Sequence, residues 1–188
     1  MFIEKNNFLP TQEFETTFGT LRNNTSFPWY YSKNTAYDDL RPGEQEYNLW
    51  DFSFSNTLYI DGAPTSFVGE EGAKLLEKIC NHSNLKLKEI IRIRAGLITR
   101  TPYHITHNAH VDYIFPHHTA LFYITSCNGP TIMYNQKYPN DTILTEQAKI
   151  MPEENKIVVF DGLQYHSSTS QTDTKQRIVI NFNFKVEE

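Results

Sequence analysis

From His104 onward the chain keeps a two-residue rhythm of apolar and polar positions. Thr119 to Thr125 alternates, so that Thr119, Leu121, Tyr123 and Thr125 share one face of an extended segment. Asn128-Gly129-Pro130 breaks into Thr131-Ile132-Met133-Tyr134, and Met151 to Asn155 breaks into Ile157-Val158-Val159-Phe160, an apolar run suited to a buried strand. Asp161-Gly162 turns again, and the next strand carries His166. Ser167 to Gln176 reads as a polar hairpin loop, and Arg177 to Phe184 as the last strand. Upstream, Phe2 to Leu9 predicts a short strand. Helical spacing appears at Thr11 to Arg22, with Phe14, Phe18 and Leu21 on one face, and at Glu70 to His82, with Ala73, Leu76 and Cys80 on one face. Lys86 to Arg100 predicts one or two strands, with Arg92 and Arg94 on one face and Ile91, Ile93 and Ala95 on the other. Residues 23–69 are irregular and aromatic, with Tyr30, Tyr31, Tyr47, Trp50, Phe52 and Phe54. They read either as a long loop and strand over the core or as the wall or lid of a substrate cleft.

Short antiparallel strands behind a helical portion predict a mainly β fold with α. The expected architecture is a double-stranded β-helix (jelly roll, cupin-like) with the N-terminal helices packed on one sheet. A length of 188 residues fits a single domain, with a helical and loop portion over 1–90 and the β core over 91–188. The 13 Phe and 11 Tyr suit sheets better than a helical bundle. A net charge of −5 provides no global basic field to recruit nucleic acid. Lys86, Lys88, Arg92, Arg94 and Arg100 form the one basic concentration and read as a solvated strand face. Two cysteines, Cys80 and Cys127, make no disulfide framework and read as small buried residues. With no apolar signal core and no membrane-length run, the expectation is a cytoplasmic protein without a membrane partner.

The chemistry centres on Asn108-Ala109-His110-Val111-Asp112-Tyr113. In an extended segment His110 and Asp112 leave the same face, with Val111 on the other. An imidazole and a carboxylate side by side can take two adjacent positions of an octahedral metal, and His166 is the best candidate for a third ligand. Two His and one carboxylate on one face leave positions open, the arrangement of non-haem Fe(II) oxygenases. Arg177 opens an apolar strand, where a guanidinium calls for an anion that its planar fork can grip.

In their order, these residues resemble the 2-oxoglutarate and Fe(II)-dependent dioxygenases of the prolyl-hydroxylase-like branch. H-x-D at His110 and Asp112 is followed by His166 and then, after a short gap, by Arg177. Ala120 to Thr125 resembles the strand whose Tyr touches the cosubstrate, Gly129-Pro130-Thr131-Ile132 the element that follows it, and Pro152 to Gly162 the approach to the distal His. Phe27-Pro28-Trp29-Tyr30-Tyr31 and Ile91-Arg92-Ile93-Arg94-Ala95 extend the likeness to small members encoded by marine phages and bacteria. The resemblance implies Fe(II), 2-oxoglutarate and O2, with ascorbate as a candidate reductant and with succinate and CO2 as products. It implies His110, Asp112 and His166 as iron ligands and Arg177 as the partner of the distal 2-oxoglutarate carboxylate. Tyr123 would donate to that same carboxylate, and Asn181 would lie near the cosubstrate. It further implies a hydroxylase acting on a prolyl or other amino-acid side chain, a small-molecule or peptide substrate, and a host-cytoplasm location for a phage-encoded member.

Two departures stand out. Asn183 occupies a position where animal hydroxylases often have Trp, and the segment before His110 lacks an obvious second cosubstrate Tyr, with Tyr103 and His107 the nearest substitutes. The competing expectation is a cupin-like metal-binding protein without oxygenase activity, since five of the seven histidines lie within 104–118. Of these, His117 and His118 read as exposed turn or strand residues.

Overall fold

A computed structural model describes residues 2–36 and 49–187; Tyr47 of the aromatic stretch lies outside them. Two antiparallel sheets face each other. The larger runs in the order β1 (Phe2–Lys5), β9 (Lys156–Asp161), β6 (His118–Tyr123), β11 (Gln176–Val186), β5 (Leu87–Thr99), β3 (Ser53–Ile60) and β2 (Tyr30–Ser32), with β4 (Ala63–Pro64) paired to β3. The smaller runs β10 (Gln164–Ser168), β7 (Thr131–Lys137), β8 (Glu146–Ile150). This is the jelly roll that the alternation predicts, a mainly β double-stranded β-helix.

The central strands of the larger sheet, β9, β6 and β11, are buried on both faces, and their alternation sorts side chains between two cores. On β11, Ile178, Ile180, Phe182 and Phe184 face outward, where helices α1 (Thr11–Thr17) and α2 (Phe67–His82) cover them. Phe122 is fully buried there, edge-on to Phe14 and Phe18 at 5.8 and 5.4 Å. Facing inward, Val179 joins Leu121, Tyr123, Val158 and Phe160 against Met133 and Ile150 of the smaller sheet. The inward row of β11 also carries Arg177, Asn181 and Asn183, which places three polar side chains inside the barrel.

Several elements differ from their predicted bounds for identifiable reasons. The first helix stops at Thr17 and continues as a 3-10 turn over Gly19–Arg22; Thr16, Thr17 and Gly19 are weak helix formers. The second starts at Phe67, because the Ser66 hydroxyl accepts from Gly69 N–H at 3.3 Å and caps it. Exposed Phe67 gave no periodic cue to that start. Strand β8 was not predicted, since four of its five residues avoid burial. Residues 169–175 are not a surface hairpin: they cross from the smaller sheet to the larger, and Ser170 and Gln171 are fully buried. Ser170 Oγ bonds Thr101 Oγ1 and the Ile105 N–H, and Gln171 Nε2 donates to Ile98 C=O, so most of the polar run is satisfied internally, the Gln171 Oε1 being the exception. Both cysteines are free and buried, and burial pushes the Cys80 thiol up to about 11.

Candidate metal centre and anion pocket

His110 and Asp112 do not lie on a strand. Their segment crosses the barrel mouth as irregular chain, pinned to β10 by one reciprocal pair of backbone hydrogen bonds. His110 N–H donates to His166 C=O at 2.9 Å, and His166 N–H to His110 C=O at 3.0 Å. That exchange brings the two imidazoles to 4.7 Å between centroids, although the residues are far apart in sequence. Asp112 Oδ2 lies 3.9 Å from His166 Nε2. One ligating atom from each of the three residues falls within 4.8 Å of the others.

The surroundings prepare these groups to bind a cation. His166 Nδ1 faces Gln164 C=O at 3.1 Å, and His110 Nδ1 faces Asn108 C=O at 3.3 Å. A carbonyl accepts only from a protonated nitrogen, so each neutral ring presents its Nε2 lone pair to the centre. Phe160 packs edge-on against His166 at 5.1 Å and fixes the ring plane. Burial alone would push the Asp112 carboxyl up. Positive charge on the His166 and His110 rings when they carry a second proton, the Arg92 guanidinium and the Asn181 amide outweigh it and hold the group well below the usual carboxylate range; a bound cation would take the place of that ring charge. The donor set is therefore two imidazole nitrogens and an ionised oxygen, which fits Fe(II) with positions left open.

Arg177 lines the same cavity, of about 130 Å³, as His110, Asp112 and His166. The four residues singled out from sequence thus converge. The guanidinium is 5% exposed; its Nε donates to Gly129 C=O at 3.1 Å and a terminal nitrogen to Thr131 Oγ1 at 2.7 Å. Among the described residues, no carboxylate lies within ion-pair distance of it. Gly129 is required for this seat: a Cβ there would stand 2.5 Å from Thr169 C=O. Tyr123 is fully buried behind the guanidinium, whose Cζ lies 5.7 Å from the ring centre, and its hydroxyl bonds Thr131 Oγ1 at 2.7 Å. Tyr123 does not line the cavity. Asn181 does, and its amide donates to Asp112 Oδ2 at 3.0 Å, which places it on the metal-site carboxylate.

Arg92 and Arg94 correct the reading of the basic strand as a solvated face. Both line the cavity; Arg92 donates to Asp112 Oδ1 at 3.3 Å and Arg94 to Ser55 Oγ at 2.9 Å. Lys86, Lys88 and Arg100 are exposed as expected. His117 is not an exposed turn residue: it is buried beneath Gly162, where a Cβ would stand 2.2 Å from its Nε2. His118 is half-buried and stacks on Phe184 at 5.7 Å. Tyr103 is exposed. His107 is buried, with Nδ1 on Ser168 C=O and Oγ at 2.9 and 3.0 Å. Thr35, Ser53 and Phe54 also line the cavity, so part of the aromatic 23–69 stretch forms its wall, while β3 packs in the sheet.

Two facing antiparallel sheets thus carry a cluster of two His and one carboxylate. No protein-family model and no curated protein matches the sequence. The structure is similar to a Trichoplax adhaerens prolyl hydroxylase solved with a hypoxia-inducible-factor peptide fragment (TM-score 0.61, 15% identity, covering 98% of this chain and 83% of that one). It is similar to a 2OG-Fe(II) oxygenase-family oxidoreductase from Burkholderia pseudomallei (TM-score 0.64, 9% identity, 98% and 84% covered). It also resembles SnoN, an α-ketoglutarate-dependent epimerase from nogalamycin biosynthesis (TM-score 0.63, 10% identity, 97% and 76% covered). At these identities the likeness is one of fold. Among the described residues, no helix is long and apolar enough to cross a membrane.

Proposed function

We propose that this chain is an Fe(II)- and 2-oxoglutarate-dependent dioxygenase, a single oxygenase domain over 1–188. The reading favoured is a hydroxylase of a prolyl or other amino-acid side chain, free or in a peptide, acting in the cytoplasm. The observation that carries it is Arg177. A buried guanidinium at the cavity wall without an acidic partner among the described residues is costly unless a ligand supplies the anion. It shares its cavity with a metal donor set, so the ligand expected is one that reaches a metal at one end and a cation at the other. A dicarboxylate 2-oxo acid does both. A cupin-like metal protein without oxygenase activity has no use for this Arg.

His110, Asp112 and His166 would hold the iron, and Arg177 the distal carboxylate. Tyr123 serves that carboxylate by bracing Thr131 and the guanidinium, and Asn181 orients Asp112. With iron and 2-oxoglutarate bound, the cofactors supply the oxidising power of O2, releasing succinate and CO2. No side chain need act as acid or base; the residues bind, orient and keep water out. The test is succinate release from Fe(II), 2-oxoglutarate and O2 against a panel of amino acids, prolyl peptides and small metabolites, with each component omitted in turn. The expected result is iron-dependent release stimulated by one substrate class and abolished in Asp112→Ala. Undiminished release by that variant would refute the assignment.

A further inference from the structure

We propose that Arg92 and Asn183 form a cross-strand pair that positions the metal-binding carboxylate of Asp112, with Asn183 as the element that sets its plane. The inference rests on the reading of His110, Asp112 and His166 as a metal centre. It starts from register: Asn183 on β11 pairs with Arg92 on β5 and with Thr119 on β6, so the three side chains form one row across the inner face of the sheet.

The row leads to Asp112. One terminal nitrogen of Arg92 donates both to Asp112 Oδ1, at 3.3 Å, and to Asn183 Oδ1, at 3.0 Å. The Asn183 amide nitrogen in turn donates to Asp112 Oδ2 at 2.9 Å and to Thr119 Oγ1 at 3.3 Å. Arg92 therefore decides which way the Asn183 amide points, because a cation accepts nothing and must meet the amide oxygen. With its oxygen turned to Arg92, the amide offers Asp112 a donor and not an acceptor. Each carboxylate oxygen is thereby tied to a different element, Oδ1 to β5 and Oδ2 to β11. Rotation of the carboxylate about its last bond breaks both ties. Asn183 is fully buried, and Arg92 is held from its other face by the Tyr113 ring, 5.2 Å from Cζ. The Asp112 side chain comes from an irregular segment, and the Asn181 amide, on the same inward row of β11, also donates to its Oδ2 at 3.0 Å, so the sheet behind it takes part in the orienting.

The two partners separate by charge. Arg92 sits beside a cation site, so deleting its charge would mix lost orientation with relieved repulsion, which act in opposite directions on metal affinity. Asn183 is neutral, and Arg92→Lys keeps the charge while removing the planar fork. The probe is Co(II) alone, titrated into the metal-free full chain and followed by its visible ligand-field absorption. The expected result is that Asn183→Leu and Arg92→Lys each weaken Co(II) binding, by about 10- to 100-fold for Asn183→Leu, and alter the band shape as the carboxylate changes its mode of ligation. The double variant loses less than the sum of the two single losses, because both residues belong to one hydrogen-bonded network around Asp112. Arg92→Lys, at a partly exposed site, keeps the test open if the buried substitution fails to fold. Unchanged affinity and an unchanged band in a folded variant would overturn the positioning role alone. A native chain that binds Co(II) no better than His166→Ala would overturn the metal centre itself.

Discussion

Replacing Arg177 by Met separates a ligand-binding role from a structural one. In the ligand-free protein the substitution removes hydrogen bonds to Gly129 C=O and Thr131 Oγ1. It also relieves a desolvated cation that has no carboxylate partner among the described residues. These effects oppose each other, so the net change in stability stays within about 2 kcal/mol, a Tm shift of roughly 4–8 °C at most. If the guanidinium holds the distal carboxylate of 2-oxoglutarate, as proposed, it becomes one half of a buried ion pair. Removing one partner of such a pair costs about 3–5 kcal/mol, a loss of roughly 10²- to 10⁴-fold in affinity. Metal affinity does not fall, because Arg177 makes no hydrogen bond to His110, Asp112 or His166 and its charge only repels a cation. The assay is paired titration under argon, metal first and then 2-oxoglutarate, with a thermal melt of each protein. Parallel loss of metal and 2-oxoglutarate binding, or a collapse in Tm, would show that Arg177 is a structural residue and refute the reasoning.

Two further outcomes follow from the surroundings of the site. Burial pushes the His107 imidazole down to about 4, only partly offset by Asp51 at 3.9 Å. The unfolded chain therefore binds the proton first as pH falls. The stability associated with neutral His107 is complete above about pH 6.5 and drains away at up to about 1.4 kcal/mol per pH unit on the way down to pH 4. His107→Gln should flatten that slope in urea melts across this window, and an unchanged slope would count against the buried neutral ring. Gly129→Ala forces the chain away from Thr169 C=O and disturbs the carbonyl that seats Arg177; 2-oxoglutarate affinity should fall about tenfold or more while Co(II) affinity holds, as read by the same titrations.

The signals in the sequence were strongest in the well-buried elements and weakest in β8, where four of five residues avoid full burial. Alternation placed β6, an apolar run placed β9, strand-forming residues placed β11, and helical spacing placed α1 and α2, because a misassigned period would have exposed Phe14 or Leu76. His110, Asp112, His166 and Arg177 were legible because their residue types are expensive to bury without a purpose and their order resembles that of a known family. Arg92 and Arg94 were not. A charged residue on an alternating strand reads the same whether its face meets water or the inside of a barrel, and only the closure of the second sheet decides. His117 and Ser170 failed for a related reason: polar residues in a run without strand character look solvated, yet a glycine above one and a row of hydroxyls around the other bury both. Asn183 was visible as a departure from the family that the sequence resembles, but its partner could be found only from the register between β11 and β5.

The central claim is that one cavity holds ferrous iron beside a dicarboxylate 2-oxo acid. The measurement that meets it most directly is the visible absorption of the protein when Fe(II) and 2-oxoglutarate are added under argon, since a weak charge-transfer band arises only when the 2-oxo acid chelates bound iron. The native chain should show the band with one equivalent of iron, His166→Ala should lack it, and Arg177→Met should need far more 2-oxoglutarate to reach it. A native chain that binds iron yet gives no band, or a band indifferent to His166→Ala, would contradict the account.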